Sequence, residues 1–600
     1  MPRSHSHLVE GDLTPYQTHL LFQSDSELTS PRINRLLTEV PMVIDHGVED
    51  HALRARVIQT SAPRKLNKEL LGWLIYQRDV PVRWAKPDAA PRNRENHLVI
   101  LVALGKFLTV VTSDKSLAAR LLARGSPKTS WSDLSRISQS RIENALVHGS
   151  ARTLWLTGIH RSVATKPDSK ILMGRDIEAS LDALGDQTYE YTSTRCEGPE
   201  DGLAASVVGV TPRQGKVWIG PCNDWEILVA NSQKLLQLIE SSPAKQKGTP
   251  YPVLARATNS LRGVDEAFDA SFAPPEYLRD EDPQLLERLE WLIDGATWSV
   301  SPTKGANCRI DMSVRNSPLY VEIELTEEAG EISHRVVPAA EDLLEEHQQL
   351  VSLLERPDIL KIFYDSLHTF SDGQIFEVRT RPIAFPLKPC DFSGFDVSLE
   401  KPKRIGTPGQ SDLQRVGAKG DDSLFTWVWK EHKKGWLWCD DGSGEIADFI
   451  HLDHEQSVLS FIHVKGAQSS SASRQIAVSA YEVVCSQALK NLRLTETSNL
   501  EQPFREKLRA STTIVRGWRN GKELSPRDDG LWRAIKKIPY SKLTRRVVIV
   551  QPHVRCSLLP KDLLTDTKAA RRAQLLHTLL YGLKADFDRY GVEFAVYADL

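Results

Sequence analysis

The most apolar stretch of the chain, residues 97–112, limits the possible folds because it is broken in the middle. Gly105 and Lys106 separate the run VILVAL from the run FLTVVT. A membrane-crossing helix needs about 20 consecutive apolar residues, whereas two β-branched runs joined by a short polar turn are typical of a β-hairpin. We therefore expect two paired strands here and no membrane contact.

Length and composition indicate a multidomain globular protein. The 600 residues are 40% hydrophobic and 26% charged, an ordinary balance, and the length corresponds to roughly two to four domains. Short β-branched runs alternate with helical patterns, which predicts a mixed α/β fold class. No two of the seven cysteines are closer than 26 residues, which argues against a zinc ribbon. Scattered thiols and a polar N-terminal segment favour a cytoplasmic location.

Changes in composition divide the chain into three predicted domains. Residues 1–245 are expected to form a mixed α/β domain, and residues 246–395 an α+β domain with acidic helices and an alternating strand at 319–325. A stretch rich in Pro, Gly and Lys leads into the last domain, residues 396–600. The first two domains could recognise a protein, a guide or a DNA structure, and the residues favour none of these.

The most informative segment is 435–494, in which strand and helix patterns alternate with polar residues. WLWC is a predicted strand that ends at an Asp/Gly/Ser turn, and residues 445–453 and 458–466 predict two more strands. Residues 479–482 have the spacing of a capping box and predict the start of a helix that continues past Gln487. The order is therefore strand, strand, strand, helix.

Several polar side chains of this segment could converge on one sheet face. His463 and Lys465 are two residues apart and should project to the same side, and Asp448 lies on the strand expected to pair with theirs. Phosphodiester hydrolysis requires a carboxylate for a divalent cation, a second ligand and a cation near the attacking water. Gln487 could support the lysine or the water. Glu445 is a further candidate carboxylate, ranked lower because it should point to the opposite face.

These residues resemble a known family. The segments CDDGSGEIADFI, HVKGA and YEVVCSQALKN resemble the PD-(D/E)XK restriction-endonuclease-like nuclease superfamily, and in particular nuclease domains of bacterial phage-defence proteins. The resemblance implies an α/β sandwich for the last domain, Asp448 as metal ligand, Lys465 as the motif lysine and Gln487 as the helix glutamine. His463 stands where the family has a second acidic residue. An imidazole ligand shifts the metal preference from Mg²⁺ toward Mn²⁺.

Charge is unevenly distributed along the chain. The overall balance of 76 basic and 78 acidic residues gives a net charge of -2. Residues 503–546, however, contain 13 Lys and Arg but four acidic residues, with tryptophans between them. This pattern favours phosphate contacts together with base stacking. The candidate DNA-binding residues are Arg516, Arg519, Lys522, Arg533, Lys536, Lys537, Trp518 and Trp532.

Two functions remain open from the sequence. The first is a metal-dependent DNA endonuclease of a prokaryotic defence system against phage or plasmids, with Mg²⁺ or Mn²⁺ as cofactor and DNA as partner. Further candidate partners are a helicase or ATPase, another defence subunit, or a second copy of the chain. The alternative is a non-catalytic DNA-binding or assembly subunit that keeps a nuclease fold, which the replacement of an acidic residue by His463 would explain.

Overall fold

The protein is described by a computed structural model. The described residues are 8–14, 18–45, 54–82, 91–122, 129–148, 150–160, 167–199, 203, 207–220, 224–244, 249–258, 260–273, 289–290, 292, 295–314, 317–328, 331–340, 343–378, 380–405, 412–440, 445–509, 516–525 and 528–600. The chain forms two compact units. The N-terminal unit contains residues 1–181 and 186–379, and the C-terminal unit contains residues 182–185 and 380–600.

The N-terminal unit is built mainly from strands. Its helices are α1 (Ser30–Ile44), α2 (Lys115–Leu122), α3 (Gln139–Leu146), α4 (Trp225–Ser241) and α5 (Glu345–Leu354). Its strands are β1 (Thr18–Ser24), β2 (Arg56–Thr60), β3 (Arg64–Leu66), β4 (Glu69–Pro81), β5 (Arg92–Leu104), β6 (Phe107–Thr112), β7 (Leu134–Arg136), β8 (Ala151–Gly158), β9 (Ser169–Met173), β10 (Tyr189–Glu197), β11 (Val207–Thr211), β12 (Lys216–Trp218), β13 (Ala257–Thr258), β14 (Ala267–Phe272), β15 (Ala296–Pro302), β16 (Cys308–Val314), β17 (Ser317–Glu328), β18 (Glu331–Pro338), β19 (Leu360–Tyr364), β20 (His368–Ser371) and β21 (Gln374–Glu377).

The first twelve strands form one large sheet. Its order is β2-β4-β5-β6-β1-β12-β11-β10-β8-β9, with β3 paired to β4 and β7 paired to β1. The hairpin predicted from residues 97–112 is confirmed: β5 and β6 are antiparallel, and Gly105 in the turn has a positive φ of 57°. The strand expected at 319–325 is also confirmed, as part of β17.

The predicted boundary near residue 245 does not separate two compact units. Residues 257–377 form a five-stranded sheet, β13-β21-β20-β19-β14, and a four-stranded sheet, β15-β16-β17-β18, and both belong to the N-terminal unit. Buried polar contacts join the five-stranded sheet to the large one. The Lys361 ammonium donates to the Thr157 hydroxyl at 2.9 Å, and Arg213 lies between Glu190 at 2.5 Å and Asp372 at 3.2 Å.

The C-terminal unit has helices on both faces of one sheet. Its helices are α6 (Leu424–Glu431), α7 (Ser479–Lys490), α8 (Thr497–Arg509), α9 (Gly530–Lys536) and α10 (Lys568–Arg589). Its strands are β22 (Lys388–Cys390), β23 (Trp436–Cys439), β24 (Phe449–Asp453), β25 (Val458–Val464), β26 (Arg516–Arg519), β27 (Lys522–Glu523), β28 (Thr544–Arg555) and β29 (Glu593–Asp599).

The sheet of this unit is mixed, with the order β22-β29-β28-β25-β24-β23-β26-β27. Strands β23, β24 and β25 form an antiparallel meander. After α9 the chain enters β28, which is parallel to β25, and β29 adds to β28, also in parallel. The unit begins earlier than the predicted residue 396, because β22 pairs with β29.

Each sheet face of the C-terminal unit has its own core. One core joins α7 and α10 to the sheet through residues such as Tyr481, Leu580 and Phe461, and the other packs α6 on the opposite face through Phe425 and Ile462. Every residue of β25 is buried, as expected for a strand covered on both faces. The mixed α/β, multidomain fold class is confirmed. Within the described ranges, no helix is both long and apolar enough to cross a membrane.

Candidate functional site

Three strand ends of the C-terminal sheet meet at one edge. Phe449, the first residue of β24, is paired with Cys439 at the end of β23 and with Ile462 near the end of β25. Antiparallel pairing therefore places Asp440, Asp448 and Lys465, which adjoin these strand ends, at the same edge of the sheet. We call these three residues, together with Glu400 and Glu445, the edge cluster.

Asp448 is the most deeply buried acid of the edge cluster after Asp440. Asp448 is 5% exposed, and its carboxylate accepts a hydrogen bond from the Val464 N–H at 2.8 Å. Burial raises the pKa of Asp448 well above its ordinary value, and this hydrogen bond opposes the shift. Glu445 and Glu400 also raise the pKa, and Lys401 lowers it. Asp448 thus lies within electrostatic reach of two further carboxylates.

Glu400 links the lysine of the edge cluster to its acids, and the sequence did not single it out. Its carboxylate lies 2.8 Å from the Lys465 ammonium and 3.5 Å from the Lys401 ammonium. The Lys465 side chain remains 42% exposed, so it can contact both solvent and Glu400. Lys465 lies one residue beyond the end of β25, and its N–H donates to the carbonyl of Val550 on β28.

Asp440 is a second buried acid that the sequence suggested only as a turn residue. It is fully buried, accepts a hydrogen bond from the Ile446 N–H at 2.9 Å, and lies 3.1 Å from the Lys507 ammonium. Burial raises the pKa of Asp440 from 3.8 to about 6, while the Ile446 N–H and Lys507 oppose the shift and Glu445 adds to it. Asp440 can therefore exchange a proton near neutral pH.

Glu445 and Gln487 both lie near the contact between α7 and the chain that leads to Asp448. Glu445 is half-buried, and its carbonyl accepts a hydrogen bond from the Asn491 amide at 3.1 Å. Gln487, one turn earlier on α7, lines a shallow open depression together with Glu482 and Lys490. This end of α7 therefore packs against the chain that leads to Asp448, and Gln487 lies about one helical turn from that contact.

His463 is enclosed in the sheet. It is 2% exposed, and burial lowers the pKa of the imidazole from 6.5 to about 4. No acidic group contributes to this shift, and His463 is not among the groups that shift the pKa of Asp448. His463 is therefore a neutral, desolvated imidazole. Joint metal ligation by Asp448 and His463 stays a prediction.

The tryptophans of the basic segment are core residues, which corrects the stacking expectation. Trp518 and Trp532 are each 3% exposed. Trp518 belongs to the core beneath α6, and Trp532 to the core beneath α7 and α10. Neither indole can present its face to a base, because both rings are covered by other side chains. Base stacking therefore cannot involve these two residues.

The predicted DNA-binding cations have different surroundings. Arg516 is 12% exposed and bonds to Glu523 at 2.8 Å and to the carbonyl oxygen of Leu413 at 2.8 Å. In the described structure Arg516 therefore links β26 to the segment that contains Leu413 and Val416. The other predicted cations are exposed. Arg533 forms an ion pair with Asp529, and Lys536 forms one with Glu501. The remaining three have no ion pair among the described residues: Arg519, Lys522 and Lys537. Arg527, part of the same basic segment, lies outside the described residues.

The edge cluster offers oxygen donors to a divalent cation. Magnesium is usually held by one or two carboxylates together with water and substrate phosphate, and the edge cluster contains two acids that interact electrostatically, Asp448 and Glu400. The raised pKa of Asp448 reflects burial near other acids, a situation that a bound cation would relieve. In the described part of the chain, no three His, Cys, Asp or Glu side chains are arranged to hold a metal ion. A magnesium ion held by two acids of the edge cluster would therefore need water and substrate phosphate to complete its coordination.

Comparisons with protein-family models, with curated proteins and with solved structures found no match for this chain.

Proposed function

We propose that the C-terminal unit is a metal-dependent DNA endonuclease that hydrolyses phosphodiester bonds, and that it acts in prokaryotic defence against phage or plasmids. The chemical part of this proposal rests on the edge cluster, and the defence role rests on the resemblance of residues 439–491 to phage-defence nuclease domains. We further propose a cytoplasmic location, with a helicase, ATPase or other defence subunit as partner.

The observation that supports hydrolysis most is the convergence of Asp448, Glu400 and Lys465 at one sheet edge. The ammonium group of Lys465 is 2.8 Å from Glu400, and Glu400 acts electrostatically on Asp448. Glu400 comes from a part of the sequence distant from Asp448 and Lys465, so no local pattern requires it to meet them. Buried carboxylates with a raised pKa beside a half-exposed lysine are typical of functional sites.

Each residue has a role in the proposed reaction. Asp448 and Glu400 would hold the divalent cation, which polarises the phosphate and lowers the pKa of a bound water. Lys465 would stabilise the negative charge that develops on the phosphate oxygens. Asp440, whose pKa is about 6, is placed to accept or return a proton at neutral pH.

Cleavage of supercoiled DNA by the full chain in Mg²⁺ or Mn²⁺ tests this proposal. Lys465→Ala and Asp448→Asn should each lower the nicking rate by at least about 100-fold, because each removes an electrostatic contribution to the transition state. Lys561→Ala removes an exposed lysine elsewhere in the unit and serves as the matched control. Equal rates for wild type and Lys465→Ala would refute the catalytic proposal.

Metal binding has a readout that does not depend on activity. If Asp448 and Glu400 hold a cation, Mg²⁺ or Mn²⁺ should raise the melting temperature of the wild type, since a ligand stabilises the state that binds it. The increase should be absent in Asp448→Asn. An identical increase in both proteins would show that the cation binds elsewhere.

The second candidate function is a non-catalytic DNA-binding or assembly subunit. It is favoured by the enclosed, neutral His463, which stands where the resembling family has an acidic residue. This function predicts salt-sensitive DNA binding without cleavage in any divalent cation. Retained binding by Lys465→Ala and Asp448→Asn, together with an inactive wild type, would decide in its favour.

A further inference from the structure

Two loops of the C-terminal unit are joined at the sheet edge opposite to the edge cluster. The loop after α6 runs into β23 at Gly435, and the turn between β26 and β27 contains Asn520 and Gly521. The Gly435 N–H donates to the Asn520 side chain at 2.9 Å, and the Asn520 N–H donates to the Gly435 carbonyl at 2.8 Å. The Lys433 side chain packs against Gly521. The two loops therefore form one continuous surface.

Local backbone geometry holds this surface in place. Asn520 and Gly521 both have positive φ, 49° and 76°, as a two-residue hairpin turn requires. Gly435 has a φ of 79°, and a Cβ atom there would lie 2.2 Å from the Leu452 carbonyl oxygen. The sequences KKG and RNGK thus specify two tight, mutually bonded bends, which fix the positions of the side chains around them.

The joined loops carry five exposed cations, which we call the basic patch: Lys430, Lys433, Lys434, Arg519 and Lys522. Four acids lie in or next to the same segments, and one of them is the exposed Glu455 beside Asp453. The Glu523 carboxylate is bonded to Arg516, the Asp453 carboxylate accepts the N–H groups of residues 455 and 456, and Glu431 is exposed at the end of α6. Cations therefore outnumber acids on this surface.

The imidazole of His432, next to Lys433 in the sequence, lies near further basic groups outside the basic patch. Burial is the main reason why the pKa of His432 is lowered from 6.5 to about 3. His451, Lys388 and Arg546 lower it further, and no acidic group opposes them. Lys388 and Arg546 therefore add to the basic groups near His432.

Two cations of the basic patch cover the rings of neighbouring tryptophans. The Lys433 ammonium lies 4.6 Å from the Trp429 ring centroid, and the Arg519 guanidinium lies 4.9 Å from that of Trp436. Such cation–π contacts orient the basic groups and occupy the ring faces. A nucleic acid would therefore meet charges and hydrogen-bond donors here, and its bases would find no open ring to stack on among these residues.

We propose that the basic patch binds the phosphate backbone of a nucleic acid, at the sheet edge opposite to the edge cluster and without sequence preference. The inference rests on the proposed function for the identity of the anion, but it does not require hydrolysis. It replaces base stacking by Trp518 and Trp532 with phosphate contacts, and it adds Lys430, Lys433 and Lys434 to the binding surface. Strand β25, with seven residues, separates the two edges by about 23 Å, so one long duplex could contact both.

Fluorescence anisotropy with a labelled DNA duplex of random sequence, in EDTA at 50 to 200 mM salt, tests the proposal. If all five cations contact phosphates, the logarithm of the binding constant should fall with the logarithm of salt concentration with a slope of about -4.5. Affinity should then decrease about 500-fold across this range. The double variant Lys433→Gln/Lys434→Gln should reduce the slope to about -2.7.

The matched control is Arg571→Gln/Arg589→Gln, which removes two exposed cations from α10 and should leave the slope unchanged. An unchanged slope for the Lys433/Lys434 variant, or an equal reduction in the control, would overturn the proposal. Tighter binding to phosphatidylserine vesicles than to DNA would overturn it as well. If the wild type binds DNA with the expected salt dependence but cleaves none in Mg²⁺ or Mn²⁺, the proposed endonuclease is refuted and the proposed role of the basic patch remains.

Discussion

Replacing Asp440 by asparagine should change how the stability of the C-terminal unit depends on pH. The carboxylate is fully buried, and its pKa is raised from 3.8 to about 6, mainly by burial. Between these two values the folded state keeps a proton that the unfolded chain has released. The free energy of unfolding of the wild type therefore falls as the pH rises from about 4 to about 6, and the asparagine variant should lack this loss.

The size of the effect follows from the pKa. Moving a pKa from 3.8 to about 6 corresponds to about 3 kcal/mol. An asparagine is neutral at every pH and keeps an acceptor for the Ile446 N–H. The difference in unfolding free energy between Asp440→Asn and wild type should thus increase by about 3 kcal/mol between pH 3.5 and pH 7. The attraction between the ionised carboxylate and Lys507 is already contained in this pKa, so it adds no separate contribution.

Urea-dependent hydrogen exchange read by mass spectrometry can measure this difference in the full chain, because peptides from residues 436–452 report on the C-terminal unit alone. Wild type and variant are compared at the same pH, so the intrinsic pH dependence of exchange cancels. A difference that stays constant within about 1 kcal/mol from pH 3.5 to pH 7 would show that Asp440 titrates near its ordinary value. The raised pKa, and the proton-transfer role built on it, would then be wrong.

Three further outcomes are expected. Gly435→Ala should lower the melting temperature, because its φ of 79° is unfavourable for alanine and the new Cβ would collide with a carbonyl oxygen; Gly582→Ala, with open space around it, should leave the temperature equal or slightly higher. Arg213→Ala should destabilise the N-terminal unit by about 3–5 kcal/mol in urea unfolding, since it leaves two buried carboxylates unpaired, and a loss below about 1 kcal/mol would contradict that. Trp518→Leu should lower the free energy of unfolding and leave the salt dependence of DNA binding unchanged. A smaller slope of the binding constant against salt would show that Trp518 does contribute to DNA binding.

Local sequence patterns predicted the three antiparallel strands and α7 of the C-terminal unit, although β24 begins at Phe449 and not at residue 445. The helix beginning at 479 is confirmed, because amphipathic spacing acts over a few residues. The predicted capping box is not formed, since the residue before the helix is Val478 and it makes no side-chain cap hydrogen bond. The hairpin at 97–112 is confirmed for the same reason as the helix. Hydrophobic periodicity and turn residues depend on residues close together in the sequence, so they can be recognised without knowing the tertiary structure.

The residues that the sequence did not identify depend on long-range contacts. Glu400 lies in a Pro- and Lys-rich stretch without a clear pattern, and it reaches Lys465 only because the preceding loop packs on the end of β25. Asp440 resembles an ordinary turn residue within DDGSG, although the fold buries it. Trp518 and Trp532 alternate with cations in the sequence, which is equally compatible with a surface and with a core. Burial decides between these alternatives, and no local pattern reports it.

The position of β29 affects the order in which the C-terminal unit can assemble during synthesis. This strand lies inside the sheet, between β22 and β28, so β22 has no sheet partner until residues 593–599 have left the ribosome. Meanwhile β28, an apolar strand that is buried along almost its whole length, exposes an open edge to other chains. We therefore expect nascent chains stalled before β29 to depend on chaperones and to aggregate more readily than chains released after it.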